Sequence, residues 1–253
     1  MQIIQIPCRQ DNYAVLIHDD ETNLTLLFDA PEHEPIAKIL QANGWDLDAI
    51  LITHYHYDHV EAAASLKNQF NAKVYGPKLR SEGQDYINHY IQDLKEIRFG
   101  NIHIQIFQTP GHIPEQIVYY IPSLKSAIVA DTIFSLGCAR ILGGTAQELF
   151  QSLELLKQLP DDTNLYCGHE YTQSNGEFAI SIDPNNQALI KRIAEVKMLR
   201  SKNLPTLPTT LSNEKSTNPF LRCYDAEIRK TLNMQNASDE AVFTELRLRK
   251  DSF

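Results

Sequence analysis

The sequence predicts a four-layer α/β (α+β) sandwich, in which two β-sheets pack face to face between outer helices, with a helical C-terminal domain. Within the first 170 residues, short apolar or alternating runs typical of strands are interleaved with amphipathic helical stretches. After about residue 172 the strand-like runs stop and helical patterns continue to the end. We therefore expect a main domain over residues 1–171 and a helical domain over residues 172–253.

The individual elements follow from period and from the turn residues between the runs. The first three predicted strands lie close together and indicate an antiparallel start. All predicted strands are residues 3–6, 14–18, 24–28, 48–53, 73–75, 102–107, 117–121, 127–130 and 164–167. The predicted helices are residues 34–41, 58–70, 148–159, 187–202, 226–232 and 239–249. A proline-rich connector, residues 204–208, interrupts the C-terminal helices.

Composition narrows the class of protein. The chain has 253 residues, 43% of them hydrophobic and 22% charged, which is typical of a globular protein with a sizeable core. A net charge of -9 argues against general binding to nucleic acid or to a membrane surface, because both need a basic patch. Without a signal peptide or a membrane-spanning run, a cytoplasmic monomer is the default expectation. Four separated cysteines, without a C-x-x-C pair, are expected to be reduced thiols.

The strongest local motif is Thr-His-Tyr-His-Tyr-Asp-His at residues 53–59, between a predicted buried strand and a helix. Imidazole nitrogens and carboxylate oxygens are ligands of first-row divalent cations. His54 and His56 have the i, i+2 spacing that directs side chains to one side of an extended backbone, so they can share one ion. Asp58 and His59 begin the helix and can serve a second ion. The alternative is a solvated loop in which Asp58 caps the helix.

Three further candidates each follow a predicted strand: His112, Asp131 and His169. Any one of them alone would be an ordinary loop residue, but three such placements favour a shared site. Seven ligands suffice for two ions if one carboxylate bridges them, and the two oxygens of Asp131 suit that role.

Other polar residues in strands and loops receive simpler interpretations. Asp29, at the end of a predicted strand, is either a turn residue or a carboxylate that orients a metal ligand, and we favour the turn. Four histidines are interpreted as surface or strand polar residues: His18, His33, His89 and His103.

With these motifs, the chain resembles the metallo-β-lactamase superfamily and, within it, the glyoxalase II (hydroxyacylglutathione hydrolase) family. The resemblance covers nearly the full length. It includes residues 11–13, 137–140, 144–145, 166–172, 218–222 and 247–253. The superfamily motifs imply the αββα fold and a metal site. The last three segments are more specific, because they belong to the glutathione thioesterase branch with its helical C-terminal domain.

The resemblance implies hydrolysis of S-D-lactoylglutathione and related S-2-hydroxyacylglutathiones to glutathione and a hydroxy acid, D-lactate in methylglyoxal detoxification. It assigns His54, His56 and His112 to the first metal. Asp58, His59 and His169 would hold the second, with Asp131 bridging. Zinc is the expected metal, and iron or manganese would also suit these ligands. We expect Asp58 and Asp131 to orient a metal-bridged water whose pKa falls from about 16 toward about 7.

Substrate-binding residues are implied in the same way: Arg140, Tyr171, Arg247 and Lys250. Cationic side chains suit the two carboxylates of glutathione. The alternative for Arg247 and Lys250 is that they complement a helix dipole. The chain departs from the family pattern at Leu142, where many members have tyrosine, at Gly143, where glutamate is usual, and at residues 113–116.

Several other functions remain open on the sequence. Lactonases and β-lactamases of the same fold have similar ligands, but they do not need the terminal Arg-x-x-Lys-Asp segment. A sulfur dioxygenase would use one iron held by two histidines and one aspartate. A nuclease is disfavoured by the acidic balance. A non-catalytic metal-binding or interaction protein is the alternative outside the enzymes.

Overall fold

The computed structural model describes residues 1–78, 84–91 and 95–253. These residues form two compact units. The first contains Met1–Gln108 and Glu115–Val129, and the second contains Thr109–Pro114 and Ala130–Phe253. The expected boundary between residues 171 and 172 divides the chain by sequence order, and it stays a prediction.

The first unit contains a six-stranded sheet in the order β1-β2-β3-β4-β5-β6. Its strands are β1 (Gln2–Cys8), β2 (Asn12–Asp19), β3 (Leu24–Phe28), β4 (Ala49–Leu51), β5 (Lys73–Gly76) and β6 (His89–Tyr90). The first three are antiparallel, as predicted, and the pairs from β3 to β6 are parallel. Parallel neighbours need crossover connections, and helices lie in two of them. These helices are α1 (His33–Asn43) between β3 and β4, and α2 (Tyr57–Val60) and α3 (Ala63–Phe70) between β4 and β5.

Both faces of this sheet are covered, which explains why β2 is buried along its whole length. On one face, Ile36 of α1 and Leu66 of α3 belong to the same buried cluster as Leu16 of β2. On the other face, the ring of Phe28 meets Tyr119 edge to face, with centroids 5.4 Å apart. The Tyr119 hydroxyl donates to the Ile52 carbonyl at 2.7 Å. Two sheets therefore pack face to face in this unit, as expected.

Tyr119 belongs to an antiparallel meander that supplies the second sheet of this unit. Its strands are β7 (Glu96–Phe99), β8 (Ile102–Gln108), β9 (Ile117–Ile121) and β10 (Ser126–Ala130). The alternating burial of β8 agrees with one face on the core and one toward water.

The second unit is mostly helical. It contains the hairpin β11 (Ile133–Phe134) and β12 (Gly137–Cys138), then α4 (Ala146–Leu156), β13 (Asn164–Cys167), α5 (Thr172–Ile182), α6 (Gln187–Ser201), β14 (Thr209–Thr210), α7 (Leu211–Thr217), α8 (Ala226–Leu232) and α9 (Asp239–Asp251). A capping box between Thr145 and Glu148 begins α4. Among the described residues, no helix is both long enough and apolar enough to cross a bilayer. All four cysteines are buried free thiols.

Some elements differ from the sequence prediction. The helix expected over residues 58–70 is two helices, because α2 ends at Val60 and α3 begins at Ala63. Helix α5 was not predicted, since Gly176 and several polar residues obscure its apolar period. Helix α7 was not predicted either, because Leu211 is its only large apolar residue. The two-residue strands are too short to show a period.

Candidate metal centre

Four candidate ligands of the first unit lie just beyond β4. His54 and His59 are fully buried, while His56 and Asp58 are half-buried. His54 Nε2 is 3.2 Å from His56 Nδ1, and the ring centroids of His54 and His59 are 4.1 Å apart. Two imidazole nitrogens that face each other at this distance are suited to a shared ion. The end of a buried strand thus concentrates these donors on a rigid support.

Asp29 orients one of these imidazoles. Its Oδ2 lies 2.8 Å from His59 Nδ1, and its two oxygens also accept from the backbone N–H and hydroxyl of Thr53, both at 2.8 Å. One ligand atom from each of Asp29, His54 and His59 lies within 4.8 Å of the other two. An acceptor at Nδ1 fixes the ring and leaves Nε2 for a ligand. Asp58 is held similarly, because Asn12 Nδ2 donates to its Oδ2 at 3.0 Å.

The preferred interpretation of Asp29 as a simple turn residue was therefore wrong. Its φ of 55° is the left-handed conformation of a turn, but its buried carboxylate holds three donors. The position follows from parallel pairing, since Phe28 is opposite Leu51 and residue 29 consequently lies beside residues 52 and 53. The sequence contains the strand-end carboxylate as a signal, but not the register that brings it to His59.

Three candidate ligands of the second unit also converge. His112, Asp131 and His169 are each at least nine-tenths buried. His169 Nε2 lies 3.4 Å from Asp131 Oδ2, and His112 Nε2 lies 3.7 Å from the same oxygen. His112 Nδ1 lies 2.6 Å from the Arg140 carbonyl oxygen, so the other ring nitrogen is directed toward the carboxylate. A single carboxylate oxygen therefore lies close to two imidazole nitrogens.

Gly111, directly before His112, has no room for a side chain. Its φ is 138°, and an added Cβ would lie 2.4 Å from the Leu149 Cα. We expect Gly111→Ala to lower the free energy of unfolding by about 3 kcal/mol or more, because strain and overpacking add. Urea unfolding measures this loss.

Gly44→Ala is the matched control. Gly44 also has a positive φ, 68°, but no atom lies within 4 Å of an added Cβ. Its substitution should cost only about 1 to 2 kcal/mol of strain. Equal losses in the two variants would show that packing against Leu149 does not restrict residue 111.

The residues expected to bind substrate differ in exposure. Arg140 is exposed, Lys250 is half-buried, and Tyr171 is 36% exposed with its ring stacked on His169 at 4.6 Å. Burial lowers the pKa of Lys250, and the positive charges of Arg247 and Arg140 lower it further. The carboxylates of Glu177 and Asp251 oppose the effect of the two arginines on the Lys250 pKa. Lys250 is thus a partly buried ammonium in a cluster of charged groups.

Arg247 has a different environment, because only 3% of it is exposed. It donates to the backbone carbonyls of Cys138 and Ala139 and forms an ion pair with Asp251. Direct contact between Arg247 and a substrate stays a prediction. Leu142, which stands where many family members have tyrosine, is 63% exposed.

The histidines outside the motifs have ordinary partners. His18 is a buried strand residue, stacked on Trp45 at 4.1 Å. The other three pair with Gln69 (His33), Tyr75 (His89) and Glu96 (His103).

The donor chemistry fits divalent cations. His59 and His112 each direct Nδ1 to an oxygen acceptor, while Nε2 faces a carboxylate at 3.9 Å and 3.7 Å. Ligating histidines in proteins are held in this way. Neutral imidazole and carboxylate together suit zinc, iron or manganese.

Two family models together match nearly the whole chain. Residues 9–169 match the metallo-beta-lactamase superfamily, and residues 170–253 match the hydroxyacylglutathione hydrolase C-terminus. A hydroxyacylglutathione hydrolase of Bartonella tribocorum is 47% identical over 253 residues, with 100% of both chains covered. The chain belongs to the hydroxyacylglutathione hydrolase family. A second family member, from Brucella anthropi, is 46% identical and covers 100% of this chain and 97% of its own.

Solved structures agree with the family fold. ETHE1 from Myxococcus xanthus has a TM-score of 0.67 at 23% identity and covers 100% of this chain and 99% of its own. A metallo-beta-lactamase from Staphylococcus aureus has a TM-score of 0.68 at 21% identity, with 99% and 71% covered. At these identities the likeness shows the fold alone. The predicted metallo-β-lactamase fold, with the helical C-terminal region of the hydroxyacylglutathione hydrolases, is confirmed.

Proposed function

We propose that this chain hydrolyses S-D-lactoylglutathione and related S-2-hydroxyacylglutathiones to glutathione and a 2-hydroxy acid. The observation that carries the proposal is 47% identity with a hydroxyacylglutathione hydrolase along the entire chain. The match includes the C-terminal region particular to that family. The match of residues 9–169 to the metallo-beta-lactamase superfamily would support any hydrolase of that superfamily. The match of the C-terminal region therefore favours the glutathione thioesterase over the other hydrolases. A cytoplasmic location and a monomeric state stay predictions.

We assign the seven candidate ligands to two divalent ions. His54, His56 and His112 would hold one ion, Asp58, His59 and His169 the other, and Asp131 would be shared. Support comes from the orientation of the imidazoles within each unit and from the position of Asp131 between two of them. Two bound ions would supply Lewis acidity and lower the pKa of a bound water to about 7. We propose zinc, and iron or manganese fits the same ligands.

The carboxylates would manage the attacking water. Asn12 fixes Asp58, so that this carboxylate can accept a hydrogen bond from the water and direct it toward the thioester carbonyl. Asp131 would also accept a hydrogen bond from this water. A thiolate is a good leaving group, and the mechanism therefore needs no dedicated protein acid.

Glutathione recognition would use positive charges of the second unit. Arg140 is exposed, and Lys250 Nζ donates to the Ser174 carbonyl at 3.3 Å and lies 5.5 Å from the Phe178 ring centroid. The ammonium is thus held in place while its pKa is lowered by burial and then by Arg247 and Arg140. A carboxylate of glutathione would neutralise this charge.

Lys250→Ala should raise KM for S-D-lactoylglutathione by about tenfold, with kcat nearly unchanged, because one charged hydrogen bond to the glutathione part of the substrate is lost. Lys230→Ala is the matched control, since the Lys230 side chain is 71% exposed and pairs with Glu227 at 4.0 Å. Steady-state kinetics of both variants test the assignment. A lower kcat without a change in KM would place Lys250 outside the glutathione-binding site.

The proposal is tested by turnover of S-D-lactoylglutathione beside a simple lactone, a β-lactam and glutathione persulfide, with metal content measured on the same sample. We expect the thioester to be hydrolysed with a kcat/KM far above the lactone and the β-lactam, and no oxygen uptake with the persulfide. Preference for the lactone or the β-lactam would assign the site to another hydrolase of this fold. Oxygen uptake with one iron per chain would indicate a sulfur dioxygenase.

A further inference from the structure

Four consecutive backbone carbonyls, residues 137–140, are each held by a side chain of the second unit. We name these residues the carbonyl segment. The partners in order are Asn218 Nδ2 at 2.9 Å for Gly137, Arg247 Nη1 at 2.9 Å for Cys138 and 3.2 Å for Ala139, and His112 Nδ1 at 2.6 Å for Arg140. The partner of the last carbonyl is a proposed metal ligand. The position of this segment therefore sets the orientation of that imidazole.

Arg247 is itself held by a carboxylate and an aromatic ring. Asp251 Oδ1 accepts from its Nε at 3.1 Å and lies 2.8 Å from its Nη2, so one edge of the guanidinium is fixed. The guanidinium carbon also lies 5.3 Å from the centroid of the Phe220 ring. Nη1 contacts the carbonyls of both Cys138 and Ala139, while Nε and Nη2 face Asp251. The single nitrogen of a lysine ammonium cannot reproduce contacts on both sides of the planar group. Burial strengthens these hydrogen bonds, because water does not compete for them.

We infer that Arg247 is a positioning residue for the metal centre, acting through the carbonyl segment on His112. The two carbonyls that Arg247 holds directly precede the Arg140 carbonyl, which accepts from His112 Nδ1. With Nδ1 fixed, Nε2 of the same ring is directed to Asp131 Oδ2 at 3.7 Å. Removal of a group that orients a ligating histidine typically lowers metal affinity by about 10-fold to 100-fold.

This inference rests on the proposed ligand role of His112, and it differs from direct binding of glutathione by Arg247. Direct contact would place the effect of a substitution in KM for glutathione thioesters alone. A positioning role places the effect in metal affinity and in the ligand field, whatever the thioester. The two roles are therefore separated by a measurement made without substrate.

The test compares Arg247→Lys with Arg249→Lys. Both substitutions keep a positive charge, and both lie on α9. Arg249 pairs with Glu245 at 2.8 Å, and its side chain is 41% exposed. Both variants are loaded with Co²⁺, and affinities are measured against a competing chelator beside the visible absorption spectrum. We expect Arg247→Lys to lower the affinity for one of the two ions by about 10-fold to 100-fold and to alter the absorption spectrum. Arg249→Lys should match the wild type in both measurements.

Asp251→Ala is a second variant, because it leaves Arg247 in place but removes its anchor. It should shift the spectrum in the same direction by a smaller amount, and it carries the test if Arg247→Lys fails to fold. Wild-type affinities and spectrum in both variants would overturn the inference, and a rise in KM alone would show direct contact instead. Failure of the wild type to hydrolyse S-D-lactoylglutathione would reject the proposed function without changing these metal measurements.

Discussion

Asp131→Asn should remove almost all turnover, with kcat/KM falling by at least about 10³-fold and bound metal falling below two ions per chain. Asp131 Oδ2 faces both His112 Nε2 and His169 Nε2, so the amide would remove a negative charge between two proposed ligands. Metal-ion catalysis supplies several kcal/mol of transition-state stabilisation. Each 1.4 kcal/mol or so corresponds to tenfold in rate. Steady-state kinetics and metal analysis on one sample measure both effects.

Asp161→Asn is the matched control for this prediction. The Asp161 side chain is 69% exposed and pairs with Lys215 at 2.5 Å, in the same unit but outside the candidate ligands. It should retain wild-type metal content and turnover, because an exposed ion pair contributes little. Two ions and normal turnover in Asp131→Asn would remove Asp131 from the metal centre.

Asp29→Ala should lower the affinity for the ion proposed at His59 by about 10-fold to 100-fold. It should also lower the free energy of unfolding by about 3 to 5 kcal/mol. The carboxylate is 2% exposed and accepts from Thr53 and His59. Its removal leaves buried donors without acceptors, which costs more than the loss of an exposed pair. Urea unfolding of the metal-free protein and a metal titration separate the two effects.

Asp29→Asn provides the comparison for Asp29→Ala. It retains one oxygen acceptor in nearly the same shape, so we expect an intermediate loss of stability and of affinity. If alanine and asparagine were equally harmless to metal affinity, the carboxylate would not orient His59, and Asp29 would be only a turn residue.

The candidate ligands could be selected from the sequence because each follows a strand, and a strand end restricts where a side chain lies. His54 and His56 also reveal their shared direction through their spacing. The residues that orient the ligands could not be predicted in the same way. Asp29 reaches His59 through parallel pairing of β3 and β4, and Arg247 reaches the carbonyl segment across more than 100 residues of chain. Neither juxtaposition has a local signal in the sequence.

The fold shows the same division between local and non-local information. Strands with a buried or alternating pattern, such as β2 and β8, and capped helices such as α4 follow from period and end signals. Helix α7 is mostly polar in sequence, yet its Glu214 is fully buried and accepts from Ser135 and the backbone N–H of Leu136. Burial of a charged side chain depends on partners nearly 80 residues away, which a window of sequence cannot contain.

We propose that thioester hydrolysis requires two ions, held by ligands from both halves of the sequence. The most direct test is titration of metal-free protein with Zn²⁺, with bound metal and turnover of S-D-lactoylglutathione followed together. We predict that turnover is absent without metal and reaches its maximum as the second equivalent binds. Full turnover in the metal-free protein, or saturation at a single equivalent with no second ion bound, would contradict the account.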